Sequence, residues 1–383
     1  MKIFKTDGLD ILSWCIHPDE GAVAQAENIA QLPFAYRHVA LMPDTHRGFG
    51  MPIGGVLAAV DAVVPYAVGV DIGCGVLASR TSLTHIDRET LKQVLGAIRK
   101  TIPLGPNHRK VPLDIEAPPL EAPIVNREHK SARKQVGTLG GGNHFIEFQK
   151  GNDGHIWFMI HSGSRNLGKQ VCDHYNALAK QNTGSSKEPA APKAWDLAHL
   201  SANSRDGQLY INEMNYCLRF AKLNREIMSA EVAEILFELT KGKVLESYNV
   251  HHNYANLEHH YGKDVWVHRK GATRARKGEL AVIPGAMGSY SYVVEGLGDE
   301  MSFCSSSHGA GRQYSRKGAM EKFSAEEVML DLQEQGVVLG KHNKKDVAEE
   351  SRFAYKNIDE VMENQKDLVK PVKRLKTIGV VKG

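Results

Sequence analysis

Six glycine-rich segments, each holding a reactive side chain, constrain this chain more than any other feature. Five are MPDTHRGFGMPIGG (42–55), VGVDIGCGV (68–76), GTLGGGNHFIE (137–147), IHSGSRNLG (160–168) and SSSHGAGR (305–312). The sixth, NVHHN (249–253), leads into VHRKGATRARKG (267–278) and PGAMGSYSY (284–292). Glycine permits left-handed turns and lets backbone approach a ligand closely. One such segment means little. Six, each with His, Cys, Asp, Asn or Arg, point to a site built from loops at sheet edges.

The stretches between these segments set the fold class. Residues 39–80 alternate short apolar runs with glycine, as buried strands and tight turns do. The pattern predicts a helix over 87–100, a proline-rich exposed loop over 101–125 and glycine-punctuated strands over 131–180, including IWFMIHSG. Residues 181–194 read as a loop by composition. Apolar positions spaced three and four apart predict helix over 209–247. Strands are expected again over 264–308, then helical segments near 325–335 and 345–364. The elements mix without a βαβ rhythm, which argues for α+β. The expectation is one large domain over 1–383, layered α/β/β/α, with mostly antiparallel sheets and an active site built from glycine-rich loops.

Composition narrows the classes. A net charge of +4 is compatible with an anionic substrate but too weak for a nucleic-acid coat. The five cysteines are scattered without a CxxC pair, so a disulfide framework is not expected and a reducing, cytoplasmic location is. Asp61, Pro65 and Asp71 interrupt the longest apolar stretch, and no basic-then-apolar signal opens the chain, so secretion and membrane attachment are not expected.

Asp71, Cys74, His144, His161 and His252 offer a carboxylate, a thiolate and three imidazoles, all ligand types for divalent first-row metals. Five donors exceed one tetrahedral site, so two ions sharing Cys74 are plausible. On donor softness alone the set suggests zinc before manganese. The bland alternative is a small buried cysteine and hydrogen-bonded core histidines. It is the better reading of any one histidine here and the weaker reading of the set. His308 sits beside two glycines and Arg312, Arg165 lies in a glycine turn, and Lys270, Arg274, Arg276 and Lys277 cluster. Arginine forks and glycine N–H groups suit phosphate. A solvated basic loop explains Arg276 and Lys277 equally well. His308 is a candidate nucleophile.

PDTHRGFGMPIGG, VGVDIGCGV, GGGNHFIE, HSGSRNLG, HHN, RKGATRA, PGAMGSYSYV and SSHGAGR follow one another in the order seen in the RtcB family of GTP- and manganese-dependent RNA ligases. The resemblance runs from about residue 37 to the terminal VVKG. It implies an RNA ligase that joins a 3′-phosphate or 2′,3′-cyclic phosphate to a 5′-hydroxyl through a covalent histidine–GMP intermediate, in RNA repair or tRNA splicing. His308 resembles the guanylylated nucleophile, and Cys74 the ligand shared by two Mn²⁺ ions. The resemblance implies His144 and His161 on one ion, and Asp71 and His252 on the other. Asn143 resembles a contact to the GTP phosphates, Glu147 the guanine reader, and Pro284, Gly285, Ala286, Met287 and Ser291 the nucleotide pocket wall. Tyr355 and Lys382 match further guanine contacts. Asn253, Gly309, Ala310 and Gly311 fall in the same nucleotide-binding motifs. Arg165, Lys270 and Arg312 are implied contacts to RNA or triphosphate oxygens.

The chain departs from the family in a short interval between His161 and His252 and in the proline-rich 101–125. Arg47, after His46, offers an additional phosphate contact. The resemblance also implies possible partners: archease, or a release-factor homologue if this is a paralogue repairing ribosome-associated RNA. Two other classes use parts of the same residue set. A two-metal phosphoester hydrolase needs the metal donors but neither His308 nor Lys382. A non-catalytic RNA-binding protein needs none of the Cys–His–Asp set.

Overall fold

In the computed structural model, residues 1–182, 192–340 and 345–383 are described. Local chemistry marks some elements well. The helix Arg88–Thr101 opens on Asp87, whose side chain accepts from Glu89 N and Thr90 N. It buries Leu91, Val94, Leu95 and Ile98, and ends with Arg99 and Lys100 against the negative end of its dipole. The helix Arg205–Thr240 is capped by Ser204 and closed by Lys241 in the left-handed conformation.

Two expectations need correction. Within 131–180, read as strands, lie the end of one helix, Pro123–Gln135, and most of another, Arg165–Asn182. Glycine punctuation around them outweighed their period. The first begins with proline at its first turn, and Glu213 accepts from Ile124 N and Val125 N at 2.7 and 2.8 Å. The helix predicted to reach 247 stops at Thr240, and Val244–His251 is a strand. The loop expected over 181–194 lies mostly outside the described residues.

The strands form two large sheets. One has six strands in the order Lys2–Phe4, Asp10–Ser13, Ala35–His46, Ile53–Ala59, Lys263–Lys270, Asn253–His260. The other has eight. Its path runs Val244–His251, Gly75–Thr81, Ile156–Ser162, Phe145–Gly151, Val369–Lys382, Tyr290–Gly296, Leu280–Ile283, with Val338–Leu339 beside the long C-terminal strand. Within these two sheets the described pairings are antiparallel, except Asp10–Ser13 with Ala35–His46 and Val338–Leu339 with Val369–Lys382.

The sheets pack face to face between two helical layers. Ala40, Met42, Val56 and Ala58 point inward, against Ala281, Ile283, Tyr292 and Val294 of the other sheet. Their strand neighbours Val39, Leu41, Leu57 and Ala59 point outward onto Ala26 and Ile29 of the helix Glu20–Ala30. This is the two-residue alternation of a sheet buried on both faces. On the far side, Phe148, Phe158 and Ile160 are covered by Leu91, Val94 and Leu95 and by Met228, Val232 and Leu236. The result is a mixed α+β fold in the order α/β/β/α. Among the described residues no helix is long and apolar enough to cross a membrane.

Candidate active site

Sheet register brings the metal donors together. The neighbouring strands Val244–His251, Gly75–Thr81, Ile156–Ser162 and Phe145–Gly151 pair His251 with Gly75, Gly75 with Ser162, and His161 with Phe145. Residues at or just beyond these ends, His252, Cys74, Asp71, His161 and His144, therefore meet at one edge. Two glycines permit the approach. Gly73 turns with φ +73°, and a Cβ at Gly163 would lie 2.1 Å from Asp71 Oδ1. Asn253 ties this turn to the next strand: its Nδ2 donates to Asp71 O at 3.1 Å and its Oδ1 accepts from Gly271 N at 2.8 Å.

The donor atoms form two groups, Cys74–His161–His252 and Asp71–Cys74–His144, each within 4.8 Å. The resemblance implied the opposite placing of His144 and His252. The structure exchanges them because His144 Nε2 reaches Asp71 Oδ2 at 3.1 Å, while His252 Nε2 faces His161 Nε2 at 3.3 Å. Cys74 belongs to both groups, with Sγ 3.2 Å from His161 Nε2 and 3.6 Å from His144 Nε2.

The proton inventory shows what this cluster lacks. His144 Nδ1 faces Leu139 O at 2.8 Å, and His161 Nδ1 faces Asn143 O at 3.1 Å. A carbonyl only accepts, so each Nδ1 carries the proton, and in the neutral ring Nε2 turns a lone pair toward the other donors. Burial, then the His144 charge, pushes His161 well below the usual imidazole range; burial, then His308 and His161, does the same to His252. Burial, then Asp71, pushes the Cys74 thiol well up, so only a cation would hold it as thiolate. Burial opposes the charge on Asp71, but His144, when its Nε2 is protonated, and then the nearby Arg165 outweigh it and lower its pKa. Buried acceptors aimed at one another are short of a positive charge, and a divalent cation fits that need.

His308 adjoins this cluster, its ring centroid 4.7 Å from that of His252. Its Nδ1 donates to Asp44 Oδ2 at 2.6 Å, and the same oxygen accepts from His308 N at 3.1 Å and Gly309 N at 3.3 Å. The bond to a carboxylate keeps the proton on Nδ1 and leaves Nε2 as the reactive nitrogen. Lys356 Nζ donates to the carbonyls on either side of Asp44, Pro43 O at 3.0 Å and Thr45 O at 2.6 Å. The sequence reading missed Asp44 and Lys356. Asp44 lay inside a segment already singled out, but nothing in that segment reveals a partner 264 residues away.

A cleft of about 2010 Å³ opens over these groups, large enough for a nucleotide and the end of a polymer. Asn143, Glu147, Pro284, Gly285, Ala286, Met287, Gly309, Ala310, Gly311, Tyr355 and Lys382 line it with the donors Asp71, Cys74, His161 and His252. Ser291 stands behind the wall, its Oγ accepting from Gly285 N at 3.0 Å and Gln149 Nε2 at 3.1 Å. Burial pushes Glu147 up to about 7, against the pull of Thr377, Gln149 and Lys382.

Glu350, also unforeseen, is the hub of this wall. It accepts from Lys382 Nζ at 2.7 Å, Tyr355 Oη at 2.8 Å and Arg312 Nη1 at 3.2 Å. Burial alone would raise its pKa, but Lys382 and then Arg312 hold it low. Arg312 also donates to Tyr314 O and Glu349 O. Lys270 is lowered to about 8 by burial and donates to Phe49 O and Tyr66 O. Arg165 donates to Thr138 Oγ1 at 3.2 Å. Beneath the loops, Asn224 and Arg225 of the helix Arg205–Thr240 clip three of them together. Arg225 Nη1 donates to Gly73 O at 2.9 Å and Ser162 O at 2.8 Å, and Asn224 Oδ1 accepts from Thr138 N at 3.0 Å.

Soft and hard donors gathered at the floor of a cleft could hold a metal, which fits the class of metal-dependent enzymes. The family profile described as "tRNA-splicing ligase RtcB" matches residues 25–122 and 116–383. The chain is 36% identical to the RNA-splicing ligase RtcB of Escherichia coli K12, over 100% of this chain and 99% of that protein. It is 33% identical to the tRNA-splicing ligase RtcB of Thermococcus kodakarensis, over 94% of this chain and 90% of that protein. With RNA-splicing ligase RtcB homolog 1 of Entamoeba dispar the identity is 34%, over 100% and 86%. The chain belongs to the RtcB ligase family.

Proposed function

We propose that residues 1–383 act as one catalytic domain that seals RNA, joining a 3′-phosphate or 2′,3′-cyclic phosphate end to a 5′-hydroxyl end with GTP and two Mn²⁺ ions. The observation that carries this reading is His308, oriented by buried Asp44 and set against the metal-donor cluster. A phosphoester hydrolase would use the cluster but has no need of a second, separately oriented histidine.

In the first step His308 Nε2 attacks the α-phosphorus of GTP. An N–P bond forms, the bond to the β-phosphate oxygen breaks, and pyrophosphate leaves. Asp44 accepts from Nδ1–H, keeps that proton on His308 and stabilises the positive charge that develops on the ring. A cyclic phosphate end is hydrolysed to the 3′-phosphate. GMP passes from His308 to that phosphate, and the 5′-hydroxyl displaces GMP to form the phosphodiester. Divalent ions held by Asp71, Cys74, His144, His161 and His252 would supply charge neutralisation on the phosphates. Donor softness alone favours zinc; manganese is proposed on the family's ground.

Glu147, when ionised, is an acceptor-only group at the bottom of the wall, suited to the N–H edge of guanine. Tyr355 and Lys382 complete the base site. Asn143, Asn253, the 284–287 turn and Gly309–Gly311 surround the phosphates and sugar. Ser291 supports the turn from behind. Arg165, Lys270 and Arg312 add positive charge for the triphosphate or the RNA, the last two from positions fixed by protein carbonyls. Five cysteines, all thiols, support a cytoplasmic location.

The test is incubation with Mn²⁺ and GTP labelled on the α-phosphate. The expected result is an acid-labile, protein-bound label that His308→Ala abolishes. No label on the wild type across several divalent metals would sink the reading. Ligation assays with and without archease, or a release-factor homologue, then report whether a partner is required.

A further inference from the structure

Phe49 stands at the mouth of the catalytic cleft with 77% of its surface exposed. Single exposed apolar side chains are ordinary, and this one is set apart by its place at the rim of the catalytic cleft and by the loop that carries it. The loop beneath it is not loose. Gly48 N donates to Gln25 Oε1 at 3.0 Å, and Gly48 O accepts from Gln25 Nε2 at 2.7 Å. Arg47 N donates to Asp19 Oδ2 at 3.1 Å, and Phe49 O accepts from Lys270 Nζ. Three side chains, Asp19 and Gln25 from one helix and its cap and Lys270 from a strand, therefore fix the backbone of residues 47–49, while the ring at its tip touches water.

The ring is also tied to the reaction centre. Asp44, which orients His308, lies in the same short segment of chain. Lys270, which holds Phe49 O, precedes Gly271, whose N–H is held by Asn253 beside His252. The side chain of Arg47, two residues before Phe49, is exposed and lines the same cleft. A fixed aromatic face with a cation beside it matches the chemistry of single-stranded nucleic acid: a base covers the ring, and a flanking phosphate meets the guanidinium.

The geometry points to Phe49 as a stacking platform for a nucleobase of the RNA end being joined. This inference rests on the RNA-sealing reading. Stacking is indifferent to base identity, which suits an enzyme that meets ends of varied sequence. Phe49 acts on RNA binding and has no part in the attack on GTP.

The test compares wild type with Phe49→Leu, which keeps an apolar side chain but loses the π face, and Phe49→Trp, which restores one. Affinity for short single-stranded RNA is read by fluorescence anisotropy, using RNA with normal terminal nucleotides and RNA abasic at the 5′ or the 3′ terminal nucleotide. Phe49→Leu is expected to weaken binding of normal RNA about tenfold, and Phe49→Trp to recover it. One of the two abasic RNAs is expected to bind wild type about tenfold more weakly and to show little further loss with Phe49→Leu, because base and ring act as one pair. Equal affinity of Phe49→Leu and wild type overturns the inference, and so does an abasic penalty that is the same in both proteins. Labelling with GTP is run in parallel. Wild type that binds RNA through Phe49 but never labels overturns the ligase reading and leaves the stacking site standing.

Discussion

The floor and the wall of the cleft are built on opposite electrostatic plans. The floor gathers acceptors: a thiol sulfur, three Nε2 atoms and a carboxylate, with facing distances of 3.1 to 3.6 Å. The few protons a thiol and neutral imidazoles carry cannot offset the carboxylate charge among them, and burial keeps His161 and His252 neutral. The wall gathers both signs. Glu350 receives hydrogen bonds from Lys382, Tyr355 and Arg312 and is complete without a ligand. The difference teaches that the floor is organised around a charge the chain does not contain. The wall is organised by the chain itself and docks its ligand onto a finished network.

Cys74 offers the strongest way to break this comparison, because both donor groups share it. Cys74→Ala is expected to lose metal from both groups, read by elemental analysis, and to give no detectable guanylylation. A variant that keeps its metal and labels normally would refute the account of the floor. Asp44→Asn is next. It preserves shape but no longer fixes the proton on His308 Nδ1, so the labelling rate should fall about 10² to 10⁴-fold with little change in metal content. A loss under tenfold would remove Asp44 from the mechanism.

Glu147 sharpens the wall. Its carboxyl titrates near 7 in the folded protein against an ordinary value of 4.5. Between those values the folded chain holds a proton the unfolded chain has released. Its favourable contribution is therefore complete below about 4.5 and is lost as pH rises through 7. Glu147→Gln should gain about 3 kcal/mol on wild type between pH 4.5 and pH 8, measured by urea unfolding without nucleotide. A stability difference that is flat across this range would place Glu147 in a wetter setting. Glu350→Gln should have the smallest effect. Weakening the charge-assisted bonds to Lys382 and Arg312 should raise the KM for GTP about tenfold while kcat holds. A fall in kcat with KM unchanged would move Glu350 from the wall to the reacting centre.

The sequence made the donors of the floor legible and left the supports hidden. Asp71, Cys74, His144 and His161 stand out because each is a metal-binding type set among glycines, and His252 because it lies in a His-His-Asn run. The helix Arg88–Thr101 is legible because Asp87 caps a clear apolar period. Pairwise geometry is not. The exchange of His144 and His252 between the two donor groups follows from which side chains face each other, His144 with Asp71 and His252 with His161. Glu350 lies in a polar stretch with no motif, and Arg225 in the middle of a long helix whose period announces only packing. The helices Pro123–Gln135 and Arg165–Asn182 were obscured by the glycine loops beside them.

By itself the sequence determined the chemistry available to this protein: which atoms can bind a metal, which histidine sits in a glycine turn, and which cations lie near phosphate-binding loops. Donor softness, proton affinity and backbone freedom belong to residue types and can be read in order along a chain. The tertiary structure alone decided how those atoms pair. Asp44 and His308 are 264 positions apart, and Lys382 meets Glu350 across 32. Contacts of that kind depend on sheet register and long-range packing, where a shift of one residue turns every side chain to the opposite face.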